Sequence, residues 1–376
     1  MTGAESTPVN VGFIGAGNVL PAYLQMLDRL VPRGLAVEGP ICARRPETRE
    51  ALLGRRPGAR VVAEAQDVLA DPAVDLVVIL TPPSSHAELV AGALAAGKHV
   101  LCEKPLADRA AAARELVERA GEESRLLICA PFVHLSPSFR RLWTLVHDGA
   151  LGQVHAARAH YGNPGSTWAA WYHQDPAATL GDVGVYNLKS LAALLGPVTE
   201  VLAASATALP DREIGGAAVE AGDPDTWQLV LRHEGGALSS LLASHITWSY
   251  RRPALELYGT EGTANLLGDD WDPHGIELYR ESTGSWELFE PEDTTWLWAD
   301  GLREAVVAIG SGADPLDEPA LDVHLLEVIE AAGHAASTGR AIEVESRFPV
   351  FEALRVAPAG DGGGHVHDRT RPADEQ

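Results

Sequence analysis

The chain has 376 residues, of which 46% are hydrophobic and 22% are charged, so it has the composition of an ordinary globular protein and the length of two domains. Lys and Arg number 29 against 52 Asp and Glu, and the formal net charge of −23 argues against nucleic acid as a partner, because phosphate backbones require clustered cations. An anionic ligand would therefore need a local arrangement of backbone N–H groups and a few Arg or Lys side chains.

The chain contains three scattered cysteines, Cys42, Cys102 and Cys129, whose spacing fits neither a disulfide framework nor a zinc site. Each lies in an apolar run, and we interpret them as buried small residues in a reducing compartment. The first ten residues lack a basic start and an apolar stretch, and no apolar run reaches about 18 residues. The sequence therefore predicts a cytoplasmic protein with no membrane partner.

Short apolar runs alternate with segments of helical periodicity from Val9 to about Ala130. This alternation predicts an α/β domain over residues 1–130, in which crossover helices join the strands of a doubly wound parallel sheet. The predicted strands are Val9–Ile14, Leu35–Cys42, Ala59–Val62, Asp75–Leu80, Lys98–Cys102 and Arg125–Cys129.

Beyond Pro131 the composition shifts toward Trp, Tyr, Thr and Gly, and strand-like runs lie close together. The pattern predicts a second, α+β domain over residues 131–350 with an antiparallel sheet and a size typical of a substrate domain. Its clearest strands and helices are Trp227–His233, Ala237–Ser244, Ala254–Gly259, Leu191–Leu195 and Asp322–Ala336. Residues 351–376 are rich in Gly, Pro and charged residues, which predicts a disordered tail; His365 and His367 in it are interpreted as solvated rather than metal-binding.

The first predicted strand runs directly into the sequence GAGNVL, which places Gly15 and Gly17 at a strand-to-helix turn. A backbone without Cβ atoms can approach a pyrophosphate there, at the N-terminus of the following helix. We predict cofactor contacts from Gly15, Gly17, Asn18 and Val19, although Leu20 replaces the third glycine of the G-x-G-x-x-G fingerprint. The alternative is a glycine-rich turn of the kind that begins any α/β domain.

Cofactor choice is read at the end of the second strand, where NAD-binding proteins usually carry an acidic residue. Here Ala43 occupies that position and Arg44 and Arg45 follow. The absence of a carboxylate removes repulsion, and a guanidinium suits a 2′-phosphate, so the sequence predicts NADP as the cofactor, with NAD as the alternative. Two solvated arginines before a helix are the structural interpretation of the same residues.

Two further strand ends carry polar residues on the side where the crevice of a parallel sheet lies. The fourth strand is followed by Thr81, Pro82 and His86, and the fifth is followed by Glu103 and Lys104. We predict that all five contact the cofactor. Lys104 also becomes an acid/base candidate, because it closes a buried strand and precedes a proline that keeps the turn extended.

The order and spacing of three short motifs are also informative: GAGN at Gly15–Asn18, EKP at Glu103–Pro105 and GDVGVY at Gly181–Tyr186. Together they resemble the Gfo/Idh/MocA oxidoreductase family, and the resemblance covers the chain from Val9 to about Phe348. It implies a Rossmann domain followed by an α+β domain with an open, mainly antiparallel sheet that covers the nicotinamide and often forms the interface of a homo-oligomer, a dimer or tetramer. It also implies sugars, inositols and related polyols as substrates.

In that family the lysine of EKP, here Lys104, contacts the reacting hydroxyl, and an aspartate and a histidine four residues later usually complete the site. This sequence has Asp182 but carries Tyr186 in place of the histidine, which is similar to the glucose-fructose oxidoreductase and dihydrodiol dehydrogenase branches. If this stretch opens a helix, the two side chains share one face. We expect Tyr186 to accept the hydroxyl proton, Lys104 to polarise the oxygen and favour the phenolate, and Asp182 to orient the substrate or Lys104.

Aromatic residues before this motif are weaker substrate candidates, with core or interface packing as an equal alternative. They are Trp168 and Trp171, together with Tyr172 and His173. His134 and Asn187 are interpreted as structural, and no group of His, Cys and carboxylates has metal-ligand spacing, so we predict a site without metal.

The leading functional hypothesis is an NAD(P)-dependent dehydrogenase or reductase that acts on a hydroxyl or keto carbon of a sugar, cyclitol or sugar-derived substrate. One alternative is a glycosidase that retains its nicotinamide cofactor and cleaves by transient oxidation. Another is a non-catalytic nucleotide-binding protein, which the presence of Lys104, Asp182 and Tyr186 makes less attractive.

Overall fold

A computed structural model describes residues 7–167, 169–174, 178–269, 271–291, 293–349, 351, 354 and 365–366, with the backbone alone at residues 171, 365 and 366. Contacts within the chain divide it into two compact units. The first unit comprises Met1–Phe132, Leu297–Glu327 and Arg347–Pro349, and the second comprises Val133–Trp296, Val328–Ser346 and Val350–Gln376.

The first unit is built on a six-stranded sheet in which every neighbouring pair of strands is parallel. Its strands are β1 (Val9–Ile14), β2 (Ala36–Cys42), β3 (Val61–Val62), β4 (Leu76–Ile79), β5 (His99–Cys102) and β6 (Leu127–Cys129). Their order, β3-β2-β1-β4-β5-β6, is that of a dinucleotide-binding sheet, with the topological switch between β1 and β4. The predicted parallel sheet is confirmed, and each observed strand lies within its predicted range.

The helices that follow these strands are α1 (Leu20–Leu30), α2 (Pro46–Arg55), α3 (Ala65–Leu69), α4 (His86–Ala95) and α5 (Ala110–Glu122). In α1 the buried side chains recur at intervals of three and four residues, as Leu20, Tyr23, Leu27 and Leu30 illustrate, so one stripe of the helix faces the core. Pro21 fits in the first turn, where its missing N–H leaves no helical hydrogen bond unmade. The sequence therefore fixes both the start of α1 and its orientation on the sheet.

The second unit carries a ten-stranded sheet in which, among the described strands, only β7 and β12 pair in parallel. The strand order is β17-β8-β11-β12-β7-β13-β14-β15-β16-β18. The elements are α6 (Pro137–His147), β7 (Val154–Gly162), α7 (Trp171–Gln174), α8 (Val185–Leu195), β8 (Val198–Ala206), β9 (Asp211–Ile214), β10 (Ala217–Glu220), β11 (Thr226–His233), β12 (Leu238–Ser244), β13 (Leu255–Gly259), β14 (Gly262–Asp269), β15 (Asp272–Arg280), β16 (Ser285–Phe289), α9 (Gly301–Ser311), α10 (Pro319–Thr338), β17 (Ile342–Glu343) and β18 (His365–Val366), of which α9 and the start of α10 belong to the first unit. The predicted mainly antiparallel sheet is confirmed.

Residues 297–327 pack with the first unit, whereas the sequence pattern places them in the second domain. A Cβ on Gly301 would overlap the ring of Phe132, so α9 lies directly against the end of the parallel-sheet segment. The Cys129 amide donates to Asp317 Oδ2 at 3.2 Å, and Val323 and Leu326 join the apolar core. Helical periodicity reveals a buried face but not the partner of that face, which explains the difference.

The segment predicted to be a disordered tail contains ordered points. Phe351 and Leu354 are buried, and His365–Val366 pairs with β16 in the large sheet. These residues differ from the prediction because two isolated apolar side chains carry little weight in a composition average. The rest of the tail, including His367, lies outside the described residues. Among the helices described, none is long and apolar enough to cross a membrane.

Candidate functional site

The turn after β1 requires glycine at its first position. Gly15 has a φ angle of 107°, and its amide donates to the Cys42 carbonyl at 3.1 Å. A Cβ on Gly15 would lie 2.7 Å from the carbonyl carbon and oxygen of Leu80, closer than real contacts permit. Both the backbone conformation and the close approach of the segment after β4 therefore exclude a side chain here.

The next residues form an open seat at the N-terminus of α1. No heavy atom lies within 4 Å of a Cβ built on Gly17, and Gly17 and Asn18 are exposed. Among the hydrogen bonds of the described residues, none uses the amide N–H of residues 16–19. Free amide groups at a helix N-terminus attract anions, so this turn fits the pyrophosphate of a dinucleotide.

The end of β2 presents two cations to solvent. Arg49 Nη1 donates to the carbonyl oxygens of Ala43 and Arg44, at 3.0 and 2.6 Å, and so fixes the backbone of this turn. The side chain of Arg45 is 77% exposed, with Glu47 3.8 Å away. Arg44 is exposed, and its guanidinium has no hydrogen bond or ion pair among the described residues. A guanidinium in this state is available to an anionic ligand.

The ring of His86, a predicted cofactor contact, lies between two backbone carbonyl groups. The side chain is 0% exposed, and its Nδ1 and Nε2 lie 2.6 and 2.8 Å from the carbonyl oxygens of Pro105 and Thr81. The ring thus ties the segment after β4 to the segment after β5. Thr81 is half-buried and its hydroxyl accepts from Ser85 Oγ at 2.8 Å, whereas Pro82 is exposed.

Glu103 and Lys104 follow β5 at the same edge of the sheet. The buried Glu103 carboxylate accepts from the Tyr23 hydroxyl at 2.8 Å through Oε1 and from the Lys104 amide at 3.2 Å through Oε2. Lys104 itself is half-buried, and its peptide bond to Pro105 is cis. Glu103 therefore holds the backbone from which the Lys104 side chain extends. Burial raises the pKa of the Cys102 thiol, one residue earlier, well above its usual range, which favours the neutral thiol.

Asp182 and Tyr186 lie in the second unit, on a helix with an irregular start. Asp182 belongs to a π-helical turn, Leu180–Gly184, and Tyr186 lies in the first turn of α8. The two side chains are expected to share one face if this stretch opens a helix, and the π turn spaces them differently from an i, i+4 pair of an α-helix. Tyr186 is half-buried, and its ring meets that of Tyr161 edge-on at 5.7 Å.

His245 is a site residue that the sequence analysis misses. Its Nε2 lies 3.1 Å from Asp182 Oδ2, although the two residues are 63 positions apart. The π turn packs near the end of β12, directly before His245, since a Cβ built on Gly184 would lie 3.4 Å from Ala243 Cβ. A histidine immediately after a predicted strand is the only signal in the sequence that marks this residue.

The aromatic substrate candidates are only partly described. Trp168 and the side chain of Trp171 lie outside the described residues. Tyr172 is half-buried, whereas His173 is 3% exposed and its Nε2 lies 2.9 Å from the Ser166 carbonyl. Burial lowers the pKa of His173, which favours the neutral ring.

The two residues interpreted as structural, His134 and Asn187, are both fully buried. Across the described ranges, no three His, Cys, Asp or Glu side chains are grouped so as to hold a metal ion. The first unit therefore carries one set of candidate residues, the turn after β1 and the strand ends with Arg44 and Lys104, and the second unit carries another, Asp182, Tyr186 and His245.

Comparison with known proteins covers both units. The model of the GFO/IDH/MocA oxidoreductase family with an NAD-binding Rossmann fold matches residues 9–130, and that of the GFO/IDH/MocA C-terminal domain matches residues 139–265. In solved structures, an NAD-binding oxidoreductase from Klebsiella pneumoniae superposes with a TM-score of 0.79 at 22% identity, covering 91% of this chain and 100% of the other. Levoglucosan dehydrogenase in complex with NADH and L-sorbose gives 0.79 at 19% identity, covering 90% and 100%.

Curated relatives have higher sequence identities to this chain than these two solved structures have. A myo-inositol 2-dehydrogenase from Thermotoga maritima is 25% identical over 73% of this chain and 84% of its own length. A trans-1,2-dihydrobenzene-1,2-diol dehydrogenase from Macaca fascicularis is 28% identical over 86% and 95%. An inositol 2-dehydrogenase from Rhodococcus jostii is 34% identical over 42% of this chain, a match that spans 41% of that enzyme. With both domains matched in order, the chain belongs to the Gfo/Idh/MocA family of oxidoreductases with an NAD-binding Rossmann fold.

Proposed function

We propose that the protein is a nicotinamide-dependent dehydrogenase or reductase that acts on a CH–OH or keto carbon of a sugar or cyclitol. The observation that carries the proposal is the turn at residues 15–19, where unused amide groups face open space at the N-terminus of α1. The names of the curated relatives, which include inositol and dihydrodiol dehydrogenases, favour a polyhydroxylated or cyclic alcohol as substrate.

The chain's own residues divide the work as follows. Bound nicotinamide supplies the hydride acceptor or donor. In the oxidation direction the Tyr186 phenolate accepts the proton of the substrate hydroxyl, and in the reverse direction the phenol returns it to the carbonyl oxygen. In this proposal the Lys104 ammonium polarises the substrate oxygen, and Asp182 orients the substrate.

NADP is the preferred cofactor in this proposal because Arg44 offers an exposed guanidinium without an ion pair in the described structure, next to the buried Ala43. Replacement of Arg44 by alanine should raise the KM for NADP(H) roughly tenfold, the equivalent of about 1.4 kcal/mol, and leave the KM for NAD(H) nearly unchanged. Arg33→Ala is the matched control, since that side chain is also exposed but lies before β2 rather than at its end. An unchanged preference for NADP in Arg44→Ala would remove Arg44 from cofactor recognition.

Purified full-length protein incubated with NADP or NAD and a panel of polyols should form reduced cofactor in proportion to oxidised substrate. The panel contains myo-inositol, D-glucose and levoglucosan, and reduced nicotinamide is followed by its absorbance. Cleavage of aryl glycosides without net cofactor reduction would instead identify a cofactor-retaining glycosidase. Tight cofactor binding with no turnover of any panel member, in either direction, would identify a binding protein and contradict the proposal.

A further inference from the structure

His245 joins the surface-reaching Asp182 to the interior of the second unit. The histidine follows β12 directly and is 1% exposed, whereas the Asp182 side chain keeps 19% of its surface exposed. The amide of His245 donates to the Asp225 carbonyl at 2.8 Å, and the Arg212 Nη1 approaches the His245 carbonyl at 3.4 Å. The backbone of His245 is therefore held on both sides of the ring that contacts Asp182.

The second ring nitrogen of His245, Nδ1, faces the Thr179 hydroxyl, which already donates its proton to another acceptor. Thr179 Oγ1 lies 2.8 Å from the Pro224 carbonyl oxygen and 3.3 Å from His245 Nδ1. Because a carbonyl only accepts, the hydroxyl donates to Pro224 and presents a lone pair to His245. If Nδ1 donates its hydrogen to Thr179, a hydrogen bond between Nε2 and Asp182 Oδ2 requires one proton between these two atoms, here called the shared proton.

The side chains around His245 and Asp182 hold this pair in place. The rings of Tyr172 and His173 meet the His245 ring edge-on, at 6.4 and 5.6 Å. Burial lowers the pKa of His173, so this neighbour adds no positive charge. Asp223 accepts from the Thr179 amide at 3.1 Å and so fixes the residue that holds Nδ1.

We propose that His245 is a positioning residue, which rests on the proposed function of this site. It holds the Asp182 carboxyl group in one orientation through the shared proton, and Thr179 holds the ring. A hydrogen bond to one carboxyl oxygen restricts rotation of the Asp182 side chain, and misplacement of an orienting group by about 1 Å costs about 100-fold in rate. His245 thus acts on the reaction through Asp182 and does not itself touch the substrate.

Substitution of His245 by glutamine or by asparagine distinguishes the roles of its two ring nitrogens. The amide nitrogen of His245→Gln lies near the position of Nε2 and keeps a donor for Asp182, whereas that of His245→Asn lies near Nδ1 and keeps only the link to Thr179. We expect His245→Asn to lower kcat about 100-fold and His245→Gln to remain within about fivefold of wild type, with the same dissociation constant for the cofactor in both. In protein that already carries Asp182→Asn, the further substitution His245→Asn should lower kcat little more, because each single substitution removes the same interaction.

A spectroscopic measurement tests the shared proton without turnover. In protein containing isotope-labelled histidine, nuclear magnetic resonance should show a strongly hydrogen-bonded Nε2 proton of His245 that disappears in Asp182→Asn. Equal kcat values for the Gln and Asn variants, or the absence of that resonance in the wild type, would overturn the inference. Failure of the wild type to turn over any polyol would contradict the proposed function instead, while the resonance would still decide the role of His245.

Discussion

Tyr186→Phe is expected to bind the cofactor as tightly as the wild type and to lose about 100- to 1,000-fold in kcat, the usual contribution of a positioned proton donor or acceptor. The substitution removes only the hydroxyl. The ring keeps its edge-on contact with Tyr161 at 5.7 Å, so α8 and the sheet beneath it stay packed. Cofactor titration by fluorescence and steady-state kinetics with the best polyol measure the two quantities separately.

The matched control for this experiment is Tyr279→Phe. Tyr279 is also half-buried and also has a ring neighbour, Trp286, at 5.6 Å, but it lies on β15, three strands away from β7 in the sheet. Loss of its hydroxyl should leave kcat within about twofold of wild type. Turnover of Tyr186→Phe near the wild-type rate would move the proton acceptor to Lys104 or another residue.

Alanine at Gly17 should weaken cofactor binding about 10- to 100-fold without lowering the thermal stability of the protein. A Cβ at this position meets no protein atom within 4 Å, so the fold accepts it, but the methyl group occupies the space through which a pyrophosphate approaches the free amides. Cofactor titration and a thermal unfolding curve of the apoprotein provide the two measurements.

Two other glycines calibrate this result. Gly15→Ala places a Cβ 2.7 Å from the backbone of Leu80 at a φ of 107°, so it should lower the melting temperature as well as binding. Gly54→Ala lies in α2, where a Cβ also has open space, and should leave binding unchanged while stabilising the helix slightly. Cofactor binding by Gly17→Ala at the wild-type level would argue that the dinucleotide does not use this turn.

The parallel sheet could be predicted strand by strand because each strand is a short apolar run bounded by turn residues. A buried strand such as Leu76–Ile79 can be recognised from its own apolar composition. The turn at Gly15 and Gly17 could be predicted for the same reason, since the glycines and the strand that precedes them are adjacent in the chain. Local signals were therefore sufficient for the parallel sheet and for the turn that follows its first strand.

The remaining features depend on contacts between distant segments. The contact of His245 with Asp182 requires β12 to pair beside β7 and the π turn to pack near the end of β12, and neither condition is written in the local pattern. His86 shows the converse case. Its position after β4 is correctly predicted, but Pro105, which lies 19 residues later, supplies the carbonyl that turns its ring inward. Proximity to a strand end predicts the neighbourhood of a side chain and not its orientation.

The return of Leu297–Glu327 to the first unit sets an order of events during synthesis. Val323 and Leu326 belong to the apolar core around β4 and β5, and Asp317 caps the Cys129 amide, so this core is incomplete until those residues leave the ribosome. The six parallel strands are synthesised first, and the part of their apolar core that Val323 and Leu326 cover stays exposed while residues 133–296 are synthesised. A nascent chain in this state exposes the kind of apolar surface that chaperones bind. The core of the first unit is therefore completed by helices that are synthesised late, α9 and the start of α10.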